Sequence, residues 1–293
     1  MQSVDVRIRC FCLLPALALL VSLYAHAQEV GTITLLSDTQ LGVIRGYSVL
    51  KGLEGMRLRQ GDILVTGPAA TAQAQLEFPG GAILELGPSS QLLIFSHTPS
   101  AAELVLLTGW LKGETTSGVY RYATPLMTVT TKGGNVLLHA QGDAAEVFVE
   151  KGVATVSTAG AAPVASSADK LFFARKAGKP MPVAGRPSQE FVAAMPVSFR
   201  DFLPSRLSKF EGRKAPEPKS DHDVSYAEIE RWLTISPAWR RGFVERFKPR
   251  LQDTAFREAI ASHITALPDW EAVLHPDHKT GPATAGKSNS PSR

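Results

Sequence analysis

From Val30 to about Thr158 the chain alternates apolar and polar residues in short runs, separated by glycine- and proline-containing turns. In Ala72-Gln73-Ala74-Gln75-Leu76-Glu77-Phe78, the apolar residues Ala72, Ala74, Leu76 and Phe78 share one face. Gln73, Gln75 and Glu77 share the other. This period of two predicts a half-buried strand, with Glu77 and Glu85 solvated on polar strand faces. Ala82-Ile83-Leu84-Glu85-Leu86 repeats the pattern more weakly, and Glu146–Glu150, Lys151-Gly152 and Val153–Val156 read as strand, turn, strand. Gly61, Gly80-Gly81, Gly109, Gly133-Gly134, Gly142 and Gly152 are each expected to end a strand and turn the chain. No interval suits a helix of ordinary length. The fold class is therefore mainly β, with an all-β unit over residues 28–158 as a sandwich, a barrel or a solenoid-like coil.

Beyond Thr158 the pattern changes twice. Residues 159–190 are rich in Ala, Gly, Pro and Ser and read as a linker, interrupted by Leu171-Phe172-Phe173, which is expected to dock on the β unit. Residues 191–275 turn helical. Phe191 and Met195 lie four apart, Ser225 with Glu228 fits a capping box, and Trp239, Phe243 and Phe247 recur at four-residue steps. Phe256, Ile260, Ile264 and Leu267 form a further stripe. These predict a small α-helical C-terminal subdomain whose aromatic residues form a private core. Residues 276–293, rich in Pro, Ser, Thr, Gly and Lys, read as a disordered tail.

Composition adds limits. The 293 residues are 44% hydrophobic and 20% charged, with mean hydropathy at zero and a net charge of +4. This is the profile of a globular chain, and so small an imbalance gives no electrostatic footprint for nucleic acid. Arg7 and Arg9, the apolar run Phe11–Ala25 and the Ala25-His26-Ala27 motif form a secretory leader over residues 1–27, with cleavage expected between Ala27 and Gln28. The run is too short to span a bilayer, so no stable membrane span is expected after cleavage. Cys10 and Cys12 both fall within the leader, which leaves the mature chain without disulfide, thiolate metal ligand or cysteine nucleophile.

The β region resembles the FecR-like domain family. The resemblance runs from Gly61-Asp62-Ile63-Leu64-Val65-Thr66-Gly67 through Ala72–Phe78 and Gly80–Leu86 to Ser90-Gln91-Leu92. It resumes at Leu104-Leu106 with Gly109, at Ala123-Thr124-Pro125 with Met127-Thr128-Val129, and at Glu150-Lys151-Gly152-Val153. The family occurs in periplasmic parts of iron–siderophore signal relays and in exported proteins of unassigned role. The chain departs from it at Lys132-Gly133-Gly134-Asn135, where the family has a Gly-Thr pair. It also lacks, ahead of its apolar run, the cytoplasmic sigma-binding module of the signalling members. The resemblance implies a periplasmic, non-catalytic binding or scaffold protein with an envelope protein or glycan partner. The alternative is a sensor component relaying through a separate membrane protein.

The search for chemistry supports a non-enzyme. No G-x-S-x-G elbow or H-E-x-x-H occurs, and Gly80-Gly81 and Gly133-Gly134 precede no helix that could cradle a phosphate. His275-Pro276-Asp277-His278 offers too few ordered ligands for a metal, so no metal and no cofactor are expected. His263 reads as a boundary residue with one satisfied nitrogen. One segment carries a distinct charge signal. Residues 239–250 hold Arg240, Arg241, Arg246, Lys248 and Arg250 against Glu245 alone. Trp239, Arg240, Arg241, Arg246 and Arg250 form either a partner face for an acidic protein or anionic envelope component, or a wet helix face whose arginine stems cover the aromatic core.

Overall fold

A computed structural model describes residues 28–38, 40–166 and 170–275. The expected leader, with Ala27 and both cysteines, and the expected tail lie outside the described residues. As the alternation predicts, the protein is mainly β. Strands β1 (Glu29–Ser37), β2 (Gly42–Arg45), β3 (Ser48–Lys51), β4 (Arg57–Arg59) and β5 (Ile63–Val65) open the chain. There follow β6 (Gln73–Phe78), β7 (Ala82–Leu86), β8 (Gln91–Thr98), β9 (Ala101–Ala123), β10 (Thr128–Gln141), β11 (Ala144–Lys151) and β12 (Ala154–Ser157). All belong to one curled antiparallel sheet, completed by β13 (Val164–Ser166), β14 (Leu171–Lys176), β15 (Val183–Ala184) and β16 (Lys219–Asp223).

The curl comes from two long strands that change partners partway along. β9 pairs with β8 through residues 101–108 and with β7 through 111–114, while β10 follows it from Gly109 to Ala123. The switch falls at Gly109, whose φ is +90° and where a Cβ would collide with Ser90 Cα. β10 likewise moves from β12 to β11 across Gly133-Gly134, and a Cβ on Gly134 would collide with Lys151 O. These glycines do not end strands, as the sequence suggested. They kink strands that continue, because positive φ without a side chain lets one backbone fold closely over another.

Three apolar clusters hold the molecule together. The inner core fills the curl with residues such as Leu76, Leu84, Leu104, Leu111, Leu138 and Phe173. The second lies on the outer face, where Ile44, Ile63, Leu93 and Val105 meet residues of helices α2 (Tyr226–Leu233) to α5 (Glu271–Leu274), including Ile229 and Trp232. α3 (Phe243–Phe247) and α4 (Thr254–Ser262) add Phe247 and Ile260 to it. The helices therefore have no private core: each is too short to bury its aromatic stripe alone, and the sheet supplies the other half. The third cluster joins Trp110, Leu137 and Phe172 to Phe191 of α1 (Gln189–Ala194) and to Phe199. The stretch read as a linker contributes β13, β14 and β15. Phe172 and Phe173 point to opposite faces of β14 and bury both, which outweighs the turn-forming composition around them.

Between α1 and β16 the chain runs as a strap across the outer face of β6, β7 and β9. Glu85 stands opposite Lys112 and Gln75, and Glu77 is one pleat along. All four are buried, so the expectation that Glu77 and Glu85 are solvated fails. The strap covers them. Glu77 accepts hydrogen bonds from Ser205 Oγ (2.6 Å), Arg206 N (2.6 Å) and Leu207 N (3.3 Å). Lys112 Nζ donates to Phe199 O (3.0 Å) and Asp201 O and lies 3.3 Å from Glu114, which gives its three protons three acceptors. Ser198 Oγ donates to Glu85.

The two glutamates are tuned in opposite directions. Burial pushes Glu77 up, but its hydrogen bonds from Ser205, Arg206, Thr34 and Gln75 outweigh that and hold it below the usual carboxylate value. Burial dominates at Glu85 and raises it, with Ser198 and Lys112 only partly offsetting. The linkage therefore differs in sign. The stabilisation from Glu77 is present above its unfolded value of 4.5 and is lost as pH falls through its folded value. Glu85 binds its proton more tightly when folded, so it costs stability as pH rises past 4.5. Glu77→Gln should lower the melting temperature near neutral pH, equivalent to about 1.5–3 kcal/mol for a lost charged hydrogen-bond set. Glu85→Gln should raise it. Both differences should shrink towards about pH 4 in calorimetric scans, and shifts of the same sign for the two variants would contradict the assignment.

Candidate functional site

The outer face of β2, β3, β5 and β8 carries a cleft. Cross-strand pairing places Ile44 opposite both Val49 and Ile63, and Val65 opposite Gln91. The C-terminal helices cover Ile63, and β16, paired with β3, brings Asp221 to the same side as Glu228 of α2. The result is a cleft of about 500 Å³ floored by Ile44, Val49 and Val65, with Gln91 in its wall and Lys51, Asp221 and Glu228 at its rim. Its walls thus come from both the β unit and the C-terminal region.

Two features set its chemistry. Gln91 Oε1 is buried and has no partner among the described residues, so the cleft holds an acceptor waiting for a donor. The hydroxyl that lines it, Thr66 Oγ1, is already committed, donating to Gly87 O (2.6 Å) and accepting from Ser90 N (2.8 Å). Among the described residues no serine, cysteine or histidine lines the cleft to supply a nucleophile or base. The arrangement can hold an apolar body and one donor group; it is not arranged for acyl transfer.

A polar clasp closes the rim. Lys51 Nζ lies 3.0 Å from Asp221, and His222 bridges Asp221 (Nδ1, 3.2 Å) and Glu228 (Nε2, 2.8 Å). Glu228 also accepts from Ser225 N (2.8 Å) and Oγ (2.7 Å), the capping box expected at the start of α2. The contact with Glu228 raises the His222 pKa more than partial burial lowers it, with Asp221 adding to the rise. Asp221 and Glu228 are both held below the usual carboxylate range: Lys51 leads at Asp221, and at Glu228 the hydrogen bonds from Ser225 and His222 overcome desolvation.

The structure gives the arginine-rich segment a different role from a free face. Arg246 donates to Gly46 O (2.7 Å), Gly61 O (2.7 Å) and Ile44 O (2.8 Å), and stacks 4.9 Å from the Phe247 ring. Its burial pushes its pKa down to about 10, partly countered by Asp62. Asp62, from the Gly61-Asp62 element, is itself buried and holds Arg45 through two contacts of 2.9 and 2.6 Å. Arg250 donates to Val224 O (2.8 Å) and pairs with Asp253 (2.9 Å), Arg240 lies 2.8 Å from Asp269, and Trp239 Nε1 donates to Glu103 (2.9 Å). Trp239, Arg246 and Arg250 thus pin the helices to this chain's own sheet, Arg240 joins helical segments to one another, and of the five Arg241 alone stands exposed without a partner among the described residues. The guanidinium planes of Arg246 and Arg250 lie over the rings of Phe247 and Phe256.

The histidines fall in separate places. His139 stacks on Trp110 at 4.0 Å and meets Glu146 at 3.1 Å; His97 stacks on Phe78 at 5.3 Å. His263 stacks on Tyr226 with Nδ1 2.8 Å from Ala259 O, the boundary role expected of it. Of the His275–His278 run only His275 is described, and among the described residues no cluster could hold a metal. No described helix is long and apolar enough to cross a membrane. Sequence reasoning missed the cleft, because its residues are scattered over 190 positions and meet only through strand register; the resemblance had singled out Val65, Thr66 and Gln91 without a role.

No family model matches the chain, and no curated protein matches it. Two crystal structures described as a candidate anti-sigma factor from Parabacteroides distasonis ATCC 8503 are similar to it. They align with TM-scores of 0.39 and 0.37 at 12% identity, over 45% and 42% of this chain. The overlap spans 62% and 60% of those chains, less than two thirds of either.

The His222 bridge yields a pH prediction. Because its folded pKa is raised, its contribution is complete below the unfolded value of 6.5 and is lost as pH rises through the folded value. Amide exchange in β16 and at the start of α2 should quicken as pH rises above 6.5, beyond the intrinsic rate change. In His222→Gln that excess should disappear; its persistence would place the switch elsewhere.

Proposed function

We propose that this protein is an exported, non-catalytic binding or scaffold protein of the cell envelope, built on a FecR-like β unit and acting in the periplasm. One observation carries the binding reading: a cleft of about 500 Å³ whose apolar floor comes from the sheet and whose charged rim joins Lys51 of the sheet to Asp221 and Glu228 of the C-terminal region. Such a cleft, mostly apolar with a few convergent polar groups, is the usual form of a ligand site. The unpaired Gln91 oxygen favours a ligand with a donor group, and the rim carboxylates are occupied by Lys51, His222 and Ser225 instead of being poised for proton transfer. The leader residues Arg7, Arg9 and Phe11–Ala27 support export. The FecR-like turn and strand motifs support the envelope setting.

The test uses thermal shift with purified periplasmic extract and soluble cell-wall glycan fragments as probes. Ligand binding stabilises by mass action, about 2.7 kcal/mol at a hundredfold excess over Kd, so one probe should raise the melting temperature. Val65→Trp, which fills the floor, should abolish the shift while still folding. Processed protein should begin at Gln28 in the periplasmic fraction. Turnover of the glycan that is lost in Asp221→Asn or Glu228→Gln would overturn the non-catalytic reading, and Met1 retained on cytosolic protein would overturn export.

A further inference from the structure

On a different face, away from the cleft's lining, the strap and α1 present an unmatched surface. Phe191 and Phe199 anchor this segment on Trp110, Leu137 and Phe172, which fixes what its other side shows to solvent. Gln189, Val192 and Ala193, spaced as one helical face, line a groove of about 630 Å³ together with Ala184, Arg186 and Arg200. Arg200 also borders a second depression, where Phe202 sits with Glu114, Glu150 and Asp201 as well as Lys112 and Lys151. Phe202 is 75% exposed and Val197 73%. The exposure of Phe202 is imposed: Lys112 holds Asp201 O on one side and Glu114 accepts from Leu203 N (3.2 Å) on the other. With Leu203 turned inward, the extended chain turns Phe202 outward.

We propose that this surface docks an acidic peptide segment of a partner protein, one that alternates carboxylates with apolar side chains. The charge decides the class of occupant. Arg186 and Arg200 are the charged residues lining the groove; among the described residues neither has a partner and no acid lines it, the acids near Phe202 lying in the second depression beside Lys112 and Lys151. A guanidinium presents a planar fork matched to a carboxylate, and Val192, Ala193 and Phe202 supply the apolar contact beside it. β15 ends the sheet beside the groove, so an entering extended segment meets a strand edge to pair with. The chain's own residues 276–293 carry Lys279, Lys287 and Arg293 against Asp277 and have the wrong sign. A symmetric second copy would set Arg186 and Arg200 against themselves.

The test is fluorescence anisotropy with the purified chain and a labelled peptide of alternating Glu and Leu, with a Lys–Leu peptide of equal length as control. The Glu–Leu peptide should bind and the control should not. Arg186→Glu and Arg200→Glu should each weaken binding about tenfold, and Phe202→Ser should weaken it without changing the salt dependence. Arg241→Glu, which alters net charge equally elsewhere, should leave it unchanged. All four positions are exposed, and circular dichroism checks that each variant folds. Equal binding of the Lys–Leu peptide, or unchanged affinity in the doubly reversed variant, would overturn the proposal. Concentration-dependent dimerisation abolished by Arg200→Glu would assign the face to a second copy, and binding to anionic vesicles abolished by the same change would assign it to a membrane. Either result would overturn the peptide assignment.

Discussion

A sheet that buries both of its faces must account for every charge it carries, and this one carries Glu77, Glu85, Lys112 and Glu114 on the outside of its central strands. Left in water they would be ordinary polar residues. Covered, they become costly unless each proton and lone pair finds a partner. The strap supplies those partners largely from its backbone: the amides of Leu203, Arg206 and Leu207 donate to carboxylates, and the carbonyls of Phe199 and Asp201 accept from the lysine. A backbone segment thus lies across the sheet without pairing as a strand, and its course is set by the spacing of acid and base beneath it. The way the α1 region is clamped, the outward turn of Phe202 and the point where the chain departs for β16 all follow from this polar seam.

The C-terminal region is tied down in a second manner. Where the strap uses its backbone to satisfy side chains, the helices use side chains to satisfy backbone. Arg246 caps three carbonyls around the β2–β3 and β4–β5 turns, and Arg250 reaches back to Val224. These contacts hold the C-terminal region against a sheet whose edge strand β3 pairs with β16. The cleft lies where residues of both meet. Its charged rim and apolar floor have separate origins, one in the clasp around His222 and the other in the register of Ile44 with Val49.

Much of the β unit was legible in the sequence because alternation is a local signal, and β6, β7, β11 and β12 lie where it placed them. The capping box at Ser225 was legible for the same reason. Three things were not. A glycine with positive φ looks the same in a turn and in a kinked strand, so the bends of β9 and β10 at Gly109 and Gly133-Gly134 could not be told from chain reversals. Alternation says which residues share a face but not what covers it, and the cover for Glu77 comes from Ser205, 128 positions away. A basic amphipathic run does not reveal whether its cations meet water or carbonyls, and Arg246 finds three carbonyls from a loop region about 200 residues earlier. In each case the missing information was a long-range contact, which a single sequence encodes only weakly.

The pairing of β16 with β3 has a consequence for how the chain matures. Lys219–Asp223 closes the sheet against Ser48–Lys51, and the helices that shield Ile44, Ile63 and Val105 are encoded later still. During synthesis, more than half of the polypeptide is made before its greasiest exterior has anything to lean on. A nascent intermediate of that kind is sticky, and topologies dominated by distant pairings close slowly. The helices from Tyr226 to Leu274 therefore act as a late-made cover for the strands that precede them. A ribosome that stops short of Trp232 would release a product whose outer surface invites aggregation.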